Sequence, residues 1–492
     1  MRLMKIIVSF WCLIIFSLSP LAVITTHAQP LYDVVILNGR VIDPESRLDA
    51  VRNIGISRGT IKAITRQKLN GRTVIDARSL VVSPGFIDLH QHGQNEENYR
   101  FKVMDGVTTA LELEVGTGDI DRWYAERQGK ALINYGVSIG HLASRMMAMN
   151  DPVTFLPTGE AARRAATEPE IAEMKRLIER GLQRGAIGVG FGIQYIPKAS
   201  HWEILEMFRV AAQFNATCFV HMRNAGVKEP ASSVQALEEV ISASTITGAP
   251  LHVVHIHSTG GHATTKLLQM VSEAKSRKLD ITTECYPYIA GMTDIKSAIF
   301  NEGWQEVFGI DYKDLQWAAT GERLTKETFE QYRKTGGYVA VFSMTEEIIE
   351  SALKSPLTII ASDGILENGK GHPRTAGTYT RVLGKYIREQ KALTLMEALR
   401  KMTLMPARRL EQRVPAMKNK GRIRIGADAD LTLFDPQQVA DKSTYQEPAR
   451  YAEGIKYVLI NGALVVKDGQ LQSGIYPGRP IRAPFNAEAR TQ

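Results

Sequence analysis

Pro84-Gly85-Phe86-Ile87-Asp88-Leu89-His90-Gln91-His92 is the stretch on which the reading of this chain turns. It is a short apolar run, too brief for a helix, that closes in two histidines spaced two apart. On an extended strand such side chains leave the same side, so both imidazoles can reach one ion. Seven further runs share its strand character: Val107–Glu114, Val137–His141, Ala186–Gly190, Thr217–His221, Leu251–His255, Asp280–Tyr286 and Leu357–Asp363. Helical patterns separate most of them. The clearest begins at Thr167-Glu168-Pro169-Glu170, a capping-box signature, continues through Ile171, Met174, Leu177 and Ile178, and stops before Gly185. Eight strand–helix alternations predict a (β/α)8 barrel. The competing doubly wound sheet lacks a glycine-rich phosphate loop after its first strand. Met292 to Leu353 is too long for a simple crossover and predicts a lid-like insertion before strand eight, at about 292–345.

The ends of the chain resemble each other. Val34-Val35-Ile36-Leu37-Asn38-Gly39-Arg40-Val41-Ile42 and Tyr457-Val458-Leu459-Ile460-Asn461-Gly462-Ala463-Leu464-Val465-Val466 each set Asn-Gly between β-branched runs, a hairpin signal. Gly421-Arg422-Ile423 and the run Ala429 to Asp435 add short strands. One small β domain built from both termini is expected, with the barrel inserted between. The expected division is a signal peptide at 1–28, β-domain parts at 29–83 and 416–492, and the barrel at 84–415.

The chain has 492 residues, 44% apolar and 23% charged, which suffices for a full core and excludes a disordered or disulfide-scaffold class. The net charge of +8 comes without any Lys/Arg-rich run, so no nucleic-acid partner is expected. Arg2 and Lys5 precede an apolar run, Ile6 to Ile24, that Pro20 interrupts and Thr26-His27-Ala28 closes. That is the pattern of a cleaved signal peptide. It implies a periplasmic or secreted protein with no stable membrane anchor after cleavage. Cys12 lies within that run; Cys218 and Cys285 sit in strand-like runs and are expected to be buried free thiols.

Polar residues gather at the strand ends: His90 and His92, Glu112 and Glu114, His141, His221, His255 with His257 beyond, and Asp363. In a barrel these ends share one face, where the active site forms. His90 and His92 would hold one ion, while His221 and His255 would hold a second or complete the first. Nitrogen and oxygen donors suit Zn²⁺, with Mn²⁺, Fe²⁺ or Co²⁺ also compatible. Asp363 would move protons between an activated water and a leaving amine.

These residues resemble the amidohydrolase superfamily and, within it, the N-acyl-D-amino-acid deacylases. The resemblance spans Gly106-Val107-Thr108-Thr109, Gly185-Ala186-Ile187-Gly188, His221-Met222-Arg223, Tyr286-Pro287-Tyr288, Ser362-Asp363-Gly364, His372-Pro373-Arg374 and Asp435-Pro436. It implies a metal-dependent barrel with a small β-sandwich and an inserted lid. It assigns His90, His92, His221 and His255 to metal and Asp363 to acid–base catalysis. Tyr195, Arg223, Tyr286 and Arg374 would contact substrate, an arginine pairing the amino-acid carboxylate.

The departures carry information too. Val115 stands where the family places a metal-bridging cysteine, which leaves Glu114 as the nearest oxygen ligand, with Glu112 one strand repeat earlier. Gly188-Val189-Gly190 offers no lysine of the hydantoinase kind. His257 replaces a lysine and is expected to line the pocket or to serve as an alternative ligand; Met292 replaces a serine and Ala376 a tryptophan. His141 is expected to orient a substrate or a ligand. The expected activity is hydrolysis of a linear amide, an N-acyl-D-amino acid, with one or two divalent ions and a small-molecule partner; a homo-oligomer is compatible with the sequence. A dipeptidase or cyclic-amide hydrolase is the enzymatic alternative, and a non-catalytic binding protein the remote one.

Overall fold

The computed structural model describes residues 31–485; the expected signal peptide lies outside them. Eight strands run parallel in one sheet, in chain order: Phe86–Asp88, Val107–Thr117, Asn134–Gly140, Gly188–Gly192, Thr217–His221, Leu251–Val253, Ile281–Cys285 and Thr358–Ile360. All eight coincide with the runs read from the sequence. The eighth strand meets the first through the loops that leave them: Asp363 N donates to His90 O at 2.7 Å and His92 N to Gly364 O at 3.0 Å. A buried polar knot reinforces the seam. Asp88 accepts from Ser362 Oγ at 2.6 Å and pairs with Lys102 Nζ at 2.9 Å, both charged groups fully buried. This is a (β/α)8 barrel with its strand C-termini converging on one face.

A nine-stranded sheet assembled from both termini leads into the barrel. Val81–Pro84 lies between Leu31–Asp43 and Leu431–Phe434, so N- and C-terminal segments are hydrogen-bonded neighbours. Their side chains share one core that includes Val34, Ile36, Ile54, Leu431, Leu433 and Leu459. Gly85 joins this sheet to the first barrel strand, and a Cβ there would come within 2.2 Å of Thr108, so only glycine fits the crossing.

The two Asn-Gly pairs behave differently. Asn461-Gly462, at φ 49° and 81°, turns Ile455–Ile460 into Ala463–Lys467 as the expected hairpin. Asn38-Gly39 instead sits inside a single thirteen-residue strand, where the register with its neighbour shifts between Ile36 and Gly39. Asn38 adopts φ 62° and its amide N–H goes to Asn53 Oδ1, which makes the pair a bulge.

The segment before strand eight contains its own antiparallel sheet, Gly291–Asp294, Leu315–Trp317 and Tyr338–Val341. It has a separate core built on Trp304, Trp317, Phe300 and Phe329. Cys218 and Cys285 are buried free thiols.

The helix Glu168–Gln183 buries Ile171, Met174, Ile178 and Leu182, while Leu177 is half-buried. At its start Glu170 accepts from Thr167 N at 2.7 Å and is gripped by Arg164. Arg164 above all, with the Thr167 groups, holds the Glu170 carboxyl down at about 2. A depressed carboxyl contributes stability above its unfolded value near 4.5 and loses it as pH falls toward 2. Glu170→Gln should therefore cost about 1 kcal/mol in chemical denaturation at pH 7. The gap to wild type should narrow between pH 4.5 and 3; a gap independent of pH would remove the ion pair from the account.

Candidate metal centre

Glu114 lies near the end of the buried part of strand two and its two oxygens face different groups. Oε2 lies 2.8 Å from His90 Nε2 and 3.2 Å from His92 Nε2. Oε1 lies 2.8 Å from His221 Nδ1 and 3.7 Å from His255 Nε2. Asp363 Oδ1 completes the first group, 3.5 Å from His90 Nε2 and 3.2 Å from His92 Nε2. Two clusters result, His90–His92–Glu114–Asp363 and Glu114–His221–His255, with the donor atoms of each within 4.8 Å of one another. Strands one, two, five, six and eight supply them, as strand-end placement dictates.

The donors fit a divalent cation. His90 Nδ1 and His92 Nδ1 are each held by a carboxylate, and their Nε2 atoms face each other across 3.1 Å, so both rings can turn an Nε2 lone pair to one cation. Burial works against charge on these rings. Asp363, Glu284 and Glu114 nevertheless hold His90 well above the usual imidazole range, and Glu112, Asp363 and Glu114 do the same for His92. The cluster thus attracts positive charge, and binding a divalent ion displaces those protons. Donors are nitrogen and oxygen throughout; Val115, a buried apolar residue beside Glu114 that also lines the pocket, supplies none. That set suits zinc and admits manganese, iron or cobalt.

Two of the candidate ligands have unusual backbones. His255 has φ 28° and Asp363 φ 53°, in the left-handed region that non-glycine residues rarely occupy. Strain of this kind concentrates at functional sites and persists where surrounding contacts fix it. Here the Asp363 N–H to His90 O bond is one such contact.

Above the clusters lies a pocket. Tyr195, Tyr286, Arg374 and Gln194 line it from the barrel, and Met292, Ile299, Phe308 and Val341 from the inserted segment. Arg374 Nη2 holds Asp363 Oδ2 at 2.9 Å, and its guanidinium stacks 4.6 Å from the centre of the Tyr286 ring. His372 accepts from Arg374 N at 3.0 Å and so shapes the loop that presents it. Burial would raise the Asp363 carboxyl, but Arg374 and His90 hold it well below the usual range, so it is a carboxylate.

Three expectations are corrected by placement. His141 starts a helix one residue after strand three ends, so its ring turns outward to Glu203 at 2.9 Å in a buried group with Arg145. It does not line the pocket. Arg223 also points elsewhere, giving both arms of its guanidinium to Glu239 and one nitrogen to Ala199 O. His257 is fully buried behind Tyr286, with ring centres 4.4 Å apart and neither nitrogen hydrogen-bonded. Burial, then His255 and Arg374, push it down to about 3, so it is neutral. It supports the Tyr286 wall from behind instead of lining the pocket.

Other residues of the site were not singled out from the sequence. Glu284 sits beneath His90, Gln194 Oε1 accepts from His221 Nε2 at 2.7 Å, and Phe155 meets the His92 ring edge-on at 5.1 Å. Glu284 carried one available signal, a carboxylate within a buried barrel strand. Because Glu114 alone among the described residues belongs to both clusters, Glu114→Gln should deplete metal from both, whereas Glu112→Gln should be milder. Elemental analysis after dialysis measures this; full occupancy in Glu114→Gln would move the bridge elsewhere.

Known proteins share this arrangement of chain. The Amidohydrolase family profile matches residues 73–466. The chain is 30% identical to a D-aminoacylase of Alcaligenes xylosoxydans xylosoxydans over 93% of its own length and 98% of that protein's. It is 27% identical to an N-acyl-D-glutamate deacylase of the same organism, over 92% and 97%. Among solved structures, the N-acyl-D-glutamate deacylase of Bordetella bronchiseptica, complexed with zinc and a phosphonate mimic of the tetrahedral intermediate, superposes with a TM-score of 0.80 at 26% identity, covering 92% of this chain and all of that one. The convergent strand ends, the paired clusters and these matches agree: the chain belongs to the amidohydrolase family, in its D-aminoacylase branch.

Proposed function

We propose that the protein hydrolyses N-acyl-D-amino acids to a carboxylate and a free D-amino acid. The observation that carries this reading is Arg374. Its Nε and Nη1 are buried without a hydrogen-bond partner, as is the Tyr286 hydroxyl beside it. Buried donors left unpaired are costly, and a free guanidinium N–H together with the neighbouring Tyr286 hydroxyl can each donate to a carboxylate oxygen. A substrate carboxylate placed there lies next to Asp363 and the two clusters, which sets the neighbouring amide over the metal centre. The D configuration and the acyl-amino-acid class are supported by the relatives.

His90, His92, His221, His255, Asp363 and Glu114 would hold the metal, which supplies a Lewis acid for the acyl carbonyl and a water nucleophilic at neutral pH. Asp363, ionised and touching the first cluster with one oxygen, accepts the proton of the attacking water. It then delivers that proton to the amide nitrogen as the C–N bond breaks and the new C–O bond is kept. Arg374 fixes the other oxygen of Asp363 and thereby the direction of its approach. Tyr195, 5.0 Å from the His221 ring, closes the barrel side of the pocket. Met292, Ile299, Phe308 and Val341 form an apolar roof that excludes water from the reacting amide.

Asp363→Asn should lower kcat by about 10²-fold or more, as expected for loss of general acid–base catalysis. Arg374→Ala should lower kcat for acids and methyl esters alike, through loss of its Asp363 contact, and in addition raise KM for substrates with a free carboxylate but not for their methyl esters. The measurement is steady-state kinetics on a panel of N-acyl-D- and N-acyl-L-amino acids. Hydrolysis of none of them, with turnover of dipeptides or cyclic amides instead, would replace this reading.

We also propose that the protein is exported. The charged start, apolar run and Thr26-His27-Ala28 sequence support this, and among the described residues no helix is long and apolar enough to cross a membrane. Amino-terminal sequencing of the protein from fractionated cells should begin at Gln29 in the exported fraction; an intact Met1 in the cytosol would contradict it.

A further inference from the structure

The pocket has a charged wall and an apolar wall on opposite sides of the two clusters. Tyr286 follows strand seven and Arg374 follows strand eight. In a ring of eight strands the place facing them is the end of strand three. There the chain leaves the helix His141–Ala148 and runs through Asp151-Pro152-Val153-Thr154-Phe155-Leu156-Pro157. The loop is pinned at its base, where Asp151 N donates to Met146 O at 2.8 Å and Asp151 Oδ2 accepts from Ala161 N at 3.0 Å. Thr154 Oγ1 donates to Leu156 O at 2.8 Å and holds the turn. Phe155 and Leu156 line the pocket together with Val115 of strand two. The Phe155 ring meets His92 edge-on at 5.1 Å, so this wall stands against the first cluster. Leu156 is buried, but Phe155 is 37% exposed and Val153 56%, which leaves large apolar side chains open to water on this side. Outside the two clusters, Arg374 is the only charged residue among the described ones that line the pocket.

We propose that Val115, Phe155 and Leu156 form the binding site for the acyl group, and that the protein prefers an extended apolar acyl chain to acetyl. The inference rests on reading the protein as an N-acyl-D-amino-acid hydrolase. With the carboxylate at Arg374 and the amide over the clusters, the amino-acid part is committed to the Arg374 side. A secondary amide is trans, so its two substituents leave the C–N bond in opposite directions. The acyl chain is thereby sent across the clusters to the strand-three side. A chain that covers Phe155 and continues toward Val153 removes from water apolar surface that the protein alone leaves exposed. Each methylene buried in this way strengthens binding by up to about 4-fold. Such contacts lie away from the reacting bond and serve ground state and transition state equally, so they act on KM and not on kcat.

The test assays the metal-loaded mature protein on the acetyl, butanoyl, hexanoyl and octanoyl derivatives of D-alanine, D-leucine and D-glutamate. KM should fall by about 10-fold from acetyl to butanoyl and further toward octanoyl, with kcat level. Phe155→Ser and Leu156→Ala should each cut the octanoyl-to-acetyl ratio of kcat/KM by about 5-fold or more. The ratios among the three amino acids carrying one common acyl group should stay as in wild type. Because each ratio is taken within one variant, a change in its metal content cancels. Thermal melts check that both variants fold, and the half-exposed Phe155 carries the test if Leu156→Ala does not. A flat or falling response to chain length, or wild-type ratios in both variants, would overturn the acyl site and leave the deacylase reading in place. A shift in the amino-acid ratios instead of the acyl ratios would put the amino-acid side chain on this wall and overturn the assignment. Hydrolysis of no derivative at any chain length would overturn the deacylase reading itself, and the acyl site with it.

Discussion

One carboxylate with its two oxygens turned to opposite sides organises this active face. Glu114 is almost wholly buried, and a buried carboxylate is tolerated only with compensating charge or hydrogen bonds. Here His90, His221 and His255 supply that compensation and hold it well below the usual carboxylate range against the burial penalty. Because the side chain hangs from strand two, next to strand one, while its other oxygen reaches the histidines of strands five and six, it ties distant strand ends into one centre. A (β/α)8 barrel presents such ends on a common face. Glu114 converts that proximity into a common ligand.

The rest of the barrel seam serves the same centre. Asp88 joins Lys102, Ser362 and the His90 backbone, so strand one and strand eight are locked together just beneath their ligands. The lock sets where Asp363 emerges, and the Arg374 loop then fixes which way it faces. The inserted sheet before strand eight adds an apolar roof on its own independent core, so the roof can differ from the centre without disturbing it. Export, where proposed, asks for no disulfides here, because the core is large enough without them.

How much of this was legible depended on whether a residue's neighbour was set by its own strand. The eight strands, the capped helix at Thr167 and the His90, His92, His221, His255 and Asp363 positions follow from local alternation and strand-end placement. Glu284 and Gln194 did not, because their partners come from other strands and exist only after closure. His141 and Arg223 were misplaced for a related reason. Each stands one or two residues past the last pairing of its strand, where the chain is already turning, and a one-residue change of direction sends a side chain to a different neighbour. Asn38-Gly39 shows the limit of a dipeptide signal: it matches Asn461-Gly462 in composition, yet the longer pairing with Asp49 and its neighbours on the next strand extends the strand through it as a bulge.

The central claim is that one carboxylate joins two ions through nitrogen and oxygen donors alone. X-ray absorption at the zinc edge of the fully loaded enzyme addresses it directly. The account predicts a first shell of nitrogen and oxygen with no sulfur and a metal–metal vector at about 3.5–4 Å. A sulfur scatterer, or zinc with no second metal within that range at full loading, would contradict it.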